Sequence, residues 1–245
     1  MKIIRSRKHG SFERIENMYY VMSNIHGNKE KFDRMLELIK FDEKEDYLYI
    51  LGDTVDYGKD GIKILLDISM RPNVYHLLGE HEAKARDMIK RFVMISSNNL
   101  KPDPEFIASF RKWTMEEGGM PTFEAFSALN EEMREGILDY FDEMFPYDEI
   151  FVDSRAYFLC HAGIAGYSAG KPLEDYYEED FYTFGINSER KYFPDKTIVV
   201  GHKPTTEFND ACIYKTTAYI NVDCGCAFDG RLACLCLDNG REFYV

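Results

Sequence analysis

The 245-residue chain lacks any run of about 18 consecutive apolar residues, so we expect no transmembrane helix. It also lacks an excess of positive charge, with a formal net charge of −13, which argues against nucleic acid or a membrane surface as partner. Residues 1–17 are basic but contain no apolar segment like that of a secretory signal. The chain has six cysteines and no recognisable secretory signal, so a reducing, cytoplasmic compartment is the simpler interpretation.

Short apolar runs alternate with helical patterns through the first third of the chain. Strands are predicted at Tyr19–Met22, Tyr47–Leu51 and Asn73–Leu78. Helices are predicted from about Lys29 and from about Ile62, because apolar residues recur there at helical spacing. This strand–helix–strand order favours a parallel sheet that is covered on both faces.

From residue 83 to about 146 the strand signals disappear. Apolar residues from Phe126 to Met144 recur at helical spacing and predict one long amphipathic helix, preceded by two shorter helices. We interpret this stretch as a helical insertion within a single α/β domain that comprises residues 1–245. Strands then return at Ile150–Val152, Tyr157–Cys160, Ile198–Val200, Tyr219–Val222 and Leu232–Leu237. The acidic, tyrosine-rich segment Glu174–Asp180 is predicted to be a surface loop.

Five short motifs stand at the ends of predicted strands, and they contain four of the six histidines. They are Asn24-Ile25-His26-Gly27, Gly52-Asp53-Thr54-Val55-Asp56-Tyr57-Gly58, Gly79-Glu80-His81-Glu82, His161-Ala162-Gly163 and Gly201-His202. A single histidine at a strand end is more often a turn or core residue than a ligand. Together, however, the motifs bring oxygen and imidazole donors to one edge of a sheet, as a pair of divalent cations requires.

In order and spacing the motifs resemble those of the calcineurin-like metallophosphoesterases, most closely the branch of serine/threonine protein phosphatases and diadenosine tetraphosphatases. The resemblance runs from about Tyr19 to the C-terminus, outside the insertion, and includes the closing segments Asn221–Gly225 and Gly230–Leu232. It implies a four-layer α/β/β/α sandwich and two divalent metal ions (Mn, Fe or Zn). It also implies hydrolysis of a phosphorylated protein or a small phosphoester.

The resemblance assigns a role to each matched residue. Six residues stand at metal-ligand positions: Asn24, His26, Asp53, Glu80, His161 and His202. Asp53 would bridge the two ions, with His26 on the first ion and the other two histidines on the second. His81 would protonate the leaving group or stabilise its charge, while Asp56 would hold the imidazole.

The sequence departs from the family pattern at two of these positions and at Tyr57. Asn24 replaces an aspartate and Glu80 replaces an asparagine, so the ligand charge stays at −2 but moves from one ion towards the other. Whether one ion or two are bound is left open by this exchange. Tyr57 stands where the family commonly has arginine, and Arg190 and Lys203 are the candidates to bind phosphate instead. Each of these cations could equally be a solvated surface charge.

Two further alternatives follow from these departures. The leading hypothesis is a metal-dependent phosphoesterase; the other is a non-catalytic homologue that binds a phosphorylated ligand or a protein.

The pairs Cys224/Cys226 and Cys234/Cys236 could form a zinc site, but alternating small apolar residues in strands are usually core residues. His9 and His76 have no partner motif and are interpreted as structural residues.

Overall fold

The computed structural model describes residues 17–187 and 190–245, which leaves His9 outside the described residues. The strands in these ranges are β1 (Tyr19–Met22), β2 (Tyr47–Ile50), β3 (Val74–His76), β4 (Tyr147–Val152), β5 (Arg155–Cys160), β6 (Lys196–Val200), β7 (Tyr214–Lys215), β8 (Tyr219–Asn221), β9 (Ala233–Cys236) and β10 (Glu242–Tyr244). The α-helices are α1 (Lys29–Ile39), α2 (Gly61–Ile68), α3 (Glu80–Ser97), α4 (Pro104–Met115), α5 (Met120–Ser127) and α6 (Glu131–Asp142). No helix among the described residues is long and apolar enough to cross a membrane.

The strands form two five-stranded sheets. The first has the order β10-β9-β1-β2-β3, and the second has the order β4-β5-β6-β8-β7. Strands β1, β2 and β3 are parallel to one another, as the strand–helix order predicted, whereas β9 and β10 add an antiparallel edge. In the second sheet β5, β6 and β8 are parallel, with antiparallel strands at both edges. The predicted α/β class is confirmed.

Three apolar layers hold these sheets together. Val21, Leu159 and Val199 belong to the layer between the two sheets, where residues from both sheets are buried together. A second layer joins the other face of the first sheet to the helices, and α1 contributes Phe32, Met35 and Ile39 to it. On the outer face of the second sheet, buried side chains of the segments 162–187 and 190–195 take the place of a helix. Short 3₁₀ turns at Leu173–Asp175 and Glu178–Phe181 carry part of that layer.

The prediction of one long helix from Phe126 to Met144 is wrong. Helix α5 ends at Ser127, and Asn130 begins α6 by accepting a hydrogen bond from the backbone N–H of Met133 at 2.9 Å. An asparagine cap satisfies a free N–H group of a helix start, so it competes with continuation of the preceding helix. The insertion also contains three helices before α6, not two, and its first helix begins at Glu80 inside the third motif.

Candidate active site

All six predicted ligand positions lie just beyond the carboxyl ends of β1, β2, β3, β5 and β6. The backbone there is strained, since six non-glycine residues of the motifs have positive φ angles. They are Asn24, His26, Asp53, Asp56, Tyr57 and His202. Such angles are costly for residues with a Cβ atom, and they persist where surrounding contacts fix the chain, as at binding and catalytic sites.

Backbone contacts between the first two motifs fix these angles. The N–H of Asn24 donates to the carbonyl of Gly52 at 3.0 Å, and the N–H of His26 donates to that of Asp53 at 2.9 Å. Gly27 and Gly58 approach so closely that a Cβ atom on either would overlap the backbone at the other. Glycine is therefore required at both positions for the two loops to meet.

The Asp53 carboxylate lies at the centre of the site and is 3% exposed. Its Oδ2 atom is 3.2 Å from Nε2 of His161, 3.1 Å from Nδ2 of Asn24 and 3.9 Å from Nε2 of His26. Burial raises the pKa of this carboxyl, but the positive charges of His161 and His81 outweigh burial and hold the pKa well below its usual range. Asp53 is therefore an anion that lies close to ligand candidates from two other motifs.

Two histidines present a ring nitrogen to Asp53. His161 Nδ1 donates to the carbonyl of Leu51 at 2.7 Å, and His26 Nδ1 donates to the carbonyl of Val55 at 3.0 Å. A nitrogen that donates to a carbonyl carries the proton, so whenever either ring is neutral its lone pair is on Nε2, which faces Asp53. Burial lowers the pKa of His161, but the charge and hydrogen bond of Asp53 outweigh burial and raise it above its usual value. Burial lowers the pKa of His26 to about 4, which keeps this ring neutral. A neutral imidazole with a fixed tautomer is suited to bind a metal ion.

Two groups of side chains bring potential ligand atoms within 4.8 Å of one another. One contains Asp53, His161 and His202, and the other contains His26, Asp53 and His81. In the first group, His161 Nε2 and His202 Nδ1 are 3.2 Å apart, and Glu80 Oε2 lies 3.7 Å from His202 Nδ1. The group itself supplies one carboxylate and two imidazoles, which suit a divalent transition-metal ion, and the Glu80 carboxylate lies beside it.

In the second group, His81 is already engaged with Asp56. Its Nδ1 donates to Asp56 Oδ2 at 2.8 Å, which leaves Nε2 as the free atom of the ring. Burial lowers the pKa of His81, but the charge of Asp53 and the hydrogen bond and charge of Asp56 outweigh burial and raise it to about 9. At neutral pH His81 is therefore a cation with a free Nε2–H donor, and it suits an acid better than a metal ligand.

Asp56 is fully buried and is held by the helical insertion. Trp113 of α4 donates from Nε1 to Oδ2 at 3.0 Å, and Thr122 of α5 donates from Oγ1 to Oδ1 at 2.7 Å. The backbone N–H of Asp56 returns a hydrogen bond to the Thr122 hydroxyl at 2.9 Å. The insertion thus orients the carboxylate that orients His81. No motif in the sequence marked Trp113 or Thr122 for this role.

Glu82, the last residue of the third motif, supports the second motif from below. Its carboxylate accepts backbone hydrogen bonds from Asp53 and Thr54 at 2.6 Å each, and from Val55 and Gly79 at 3.1 and 3.2 Å. Burial and the nearby charge of Asp53 raise the pKa of Glu82 to about 7, against the four backbone donors. Glu82 follows His81 directly and so belongs to the third motif, but the sequence analysis predicts no role for it.

A cavity of about 200 Å³ opens above these residues. Its lining includes Asp223 and Phe228 of the C-terminal segment, neither of which was predicted as a site residue. Asp223 is buried, and burial raises the pKa of its carboxyl to about 6. The residue lies two positions after the end of β8, so the rule that ligands lie at strand ends could have identified it. With Asp53 and Glu80 it makes the cavity floor acidic.

The two predicted phosphate-binding cations do not line this cavity. The Arg190 guanidinium lies 4.9 Å from the ring centre of Tyr167, and Lys203 is an exposed residue. The aromatic rings of Tyr57 and Phe228 instead border the cavity, with centres 5.1 Å apart. Tyr57 also packs edge-on against His26, with ring centres 5.1 Å apart. An aromatic wall therefore stands where an arginine was expected.

The cysteine pairs are core residues in the described structure. Cys224, Cys226, Cys234 and Cys236 are buried, and burial raises the pKa of the Cys226 thiol to about 11. Among the described residues no cysteine belongs to a group of potential metal ligands. His76, interpreted as structural, is likewise buried, with Nε2 3.0 Å from the Thr54 hydroxyl.

Comparison with known proteins agrees with this geometry. The model of the calcineurin-like phosphoesterase family matches residues 19–228. Symmetrical bis(5'-nucleosyl)-tetraphosphatases of Wigglesworthia glossinidia brevipalpis and of Buchnera aphidicola subsp. Acyrthosiphon pisum (strain 5A) are 38% identical over 65 residues and 41% identical over 64 residues. Each match covers 26% of this chain, and the matches span only 24% and 23% of those relatives.

Solved structures share the fold over nearly the whole chain. A crystal structure of a candidate diadenosine tetraphosphatase has a TM-score of 0.64 at 17% identity and covers 94% of both chains. A metallophosphoesterase from Sphaerobacter thermophilus has a TM-score of 0.55 at 16% identity, covering 94% of this chain and 86% of its own. At these identities the likeness concerns the arrangement of strands and helices.

Proposed function

The chain belongs to the calcineurin-like phosphoesterase family, and from that premise we propose that it hydrolyses phosphoesters with the help of a bound divalent cation. The observation that carries this proposal is the convergence of Asp53, His161 and His202 beside the protonated His81. The first three supply anionic and imidazole ligands, and the fourth supplies an acid. Together they can activate a water molecule and protonate a poor leaving group at neutral pH.

The residues of the site have two roles: some would bind the cation, and His81 protonates the leaving group. A divalent cation, when bound, lowers the pKa of a water ligand and withdraws charge from phosphoryl oxygens. Asp53, Glu80, His161 and His202 would hold it. His81 donates the Nε2 proton to the departing oxygen, while its Nδ1–H stays bonded to Asp56. The metal could be manganese, iron or zinc, since carboxylate and imidazole ligands suit all three.

The space beside His81 favours a small phosphoester over a protein substrate. A second cavity, of about 580 Å³, adjoins the site and shares Tyr57, Glu80 and His81 with it. Its far wall carries Lys84 and Lys112, whose ammonium groups lie 3.8 and 2.7 Å from the Glu117 carboxylate. A leaving group that lies in this cavity would be within reach of the His81 proton. A nucleotide substrate, like the one that the relatives' names state, is one member of this class.

A non-catalytic role as a phosphate-binding or protein-binding module is the second candidate. It is favoured by one observation: no arginine lines the cavity within the described part of the chain. A bidentate guanidinium binds phosphate oxygens more specifically than any other side chain, so its loss weakens substrate positioning. A binding module would retain affinity for a phosphorylated ligand without turnover.

Hydrolysis of matched substrates separates these functions. The purified chain is reloaded with Mn²⁺ and assayed on an aryl phosphate, an alkyl phosphate, a dinucleoside tetraphosphate and a phosphoserine peptide. We expect turnover of the small esters, and His81→Gln should slow the alkyl ester by about 10²–10⁴-fold but the aryl ester less, because an aryl oxide departs with little need of a proton. Binding of these compounds without turnover of any would favour the non-catalytic role. Equal losses on both esters would remove His81 from the acid role.

A further inference from the structure

We propose that this protein binds one divalent cation, not two, because the Asn24 carboxamide fills the other position with its N–H groups. The inference rests on the proposed function, since the remaining cation is the one assigned to hydrolysis. It concerns the group formed by His26 and Asp53, in which Asn24 replaces an anionic ligand.

The orientation of the Asn24 side chain is fixed by its oxygen. Oδ1 accepts from the backbone N–H of His202 at 3.0 Å and from the Ser23 hydroxyl at 2.6 Å. A backbone N–H can only donate, so the amide oxygen, not the amide nitrogen, must face it. Gly201 permits this approach, because a Cβ atom there would overlap both Ser23 Oγ and Asn24 Oδ1.

The amide nitrogen therefore points at the remaining ligand atoms. Asn24 Nδ2 donates to Asp53 Oδ2 at 3.1 Å and lies 3.5 Å from His26 Nε2. Because His26 Nδ1 donates to the carbonyl of Val55, Nε2 is the lone-pair atom of that ring. The two amide hydrogens thus occupy the lone pairs with which His26 and Asp53 would bind an ion. A cation placed there would meet N–H groups.

Rotation of the Asn24 amide by half a turn would point its oxygen at an ion beside His26, but it would break the hydrogen bond from the backbone N–H of His202. It would turn the Nδ2 hydrogens of Asn24, a residue that is 4% exposed, towards the backbone N–H of His202, and that N–H would lose its acceptor. The penalty for an unpaired buried donor corresponds to roughly 5–150-fold in affinity. In return the ion would gain a neutral oxygen in place of the carboxylate that an aspartate would supply.

The metal position at His161 and His202 has gained the negative charge that the position at His26 lost. Glu80 stands outside the group of Asp53, His161 and His202, but its carboxylate lies 3.7 Å from His202 and its side chain is 51% exposed, so rotation of the side chain can bring a second carboxylate to an ion held there. One divalent cation would be neutralised there by two carboxylates and held by two imidazoles. The two departures from the family pattern thus act together: one closes a metal position, and the other strengthens its neighbour.

Manganese stoichiometry tests the inference without any substrate. The chelator-treated full chain is titrated with Mn²⁺, and bound ions are counted by calorimetry and observed by electron paramagnetic resonance. We expect one ion per chain with the spectrum of an isolated ion. Asn24→Asp should bind a second ion and show exchange coupling between the two through Asp53. Asn28→Asp is the matched control: it adds the same charge at the N-cap of α1 and should leave one ion.

Two coupled ions in the natural protein would overturn the inference, and so would a second ion in the Asn28→Asp control. A single ion in Asn24→Asp would also contradict it, since closure by the amide is then not the cause. Should Asn24→Asp fail to fold, the count for the natural protein still decides. A protein that binds one ion but hydrolyses nothing would sustain this inference while refuting the proposed function.

Discussion

Protonated His81, stabilised by the charge of Asp53 and by its hydrogen bond to Asp56, should make the stability of the metal-free protein depend on pH in a way that His81→Gln removes. The folded-state pKa of His81 is about 9, against 6.5 for an ordinary histidine. At about 1.4 kcal/mol per pKa unit, the protonated imidazole contributes about 3 kcal/mol to folding. The side chain is 18% exposed, so solvent screens this contribution little.

The sign of the effect follows from the direction of the shift. Because the folded state holds the proton more tightly, the stabilisation is fully present below pH 6.5 and is lost as the pH rises through about 9. Between about pH 6 and pH 10 the natural protein should therefore lose about 3 kcal/mol more unfolding free energy than His81→Gln. Both proteins are measured by urea unfolding in the presence of a chelator, because a cation at Asp53 would change the charge near His81.

His76→Gln provides the matched control. His76 is also buried, but burial lowers its pKa to about 3, so this ring is neutral over the whole range. An unfolded histidine titrates near 6.5, so this substitution changes the pH dependence only below about pH 7.5; from about pH 7.5 to pH 10 it should lower stability by a constant amount and leave the slope unchanged. Parallel stability curves for the natural protein and His81→Gln would refute the ion pair, and with it the explanation of how His81 keeps its proton.

Three further results are expected. Glu82→Gln should lower the unfolding free energy by about 3 kcal/mol or more, because its amide nitrogen must face backbone N–H groups that now donate to a carboxylate; urea unfolding measures it, and a loss below about 1 kcal/mol would contradict the network. One thiol of six, Cys212, should react with a thiol reagent in the native protein, since the other five are buried, and Cys212→Ser should abolish the reaction. Tyr57→Arg should lower KM for a doubly charged phosphomonoester more than for a singly charged diester, because a guanidinium would then border the cavity; equal changes would place Tyr57 outside phosphate recognition.

Local pattern was sufficient to predict the strands that carry the site. Tyr19–Met22 is both the predicted and the observed strand, and its neighbours differ at their ends by one or two residues. Four-residue apolar runs stopped by polar motifs leave little choice of structure, and parallel pairing places their ends together. The short strands β7 and β10 were missed, because two or three residues give no periodicity.

The contacts that orient the site could not be read from the sequence. Trp113 and Thr122 lie 57 and 66 residues from Asp56, and only the packing of α4 and α5 brings them to its carboxylate. The direction of the Asn24 amide was equally hidden, since it depends on the backbone N–H of His202, 178 residues away. Motifs identify which residues meet, whereas the tertiary structure decides which atom of each faces the other.

The most direct test of the central claim is phosphate release from an aryl phosphate in ¹⁸O-labelled water. The chelated protein, the Mn²⁺-reloaded protein and reloaded Asp53→Asn are compared, with Asp33→Asn, an exposed carboxylate of α1, as control. We predict release by the reloaded natural protein and the control alone, with one labelled oxygen in each phosphate, because water attacks phosphorus at a site that Asp53 assembles. Release that is independent of metal or of Asp53, or no release at all, would contradict the account.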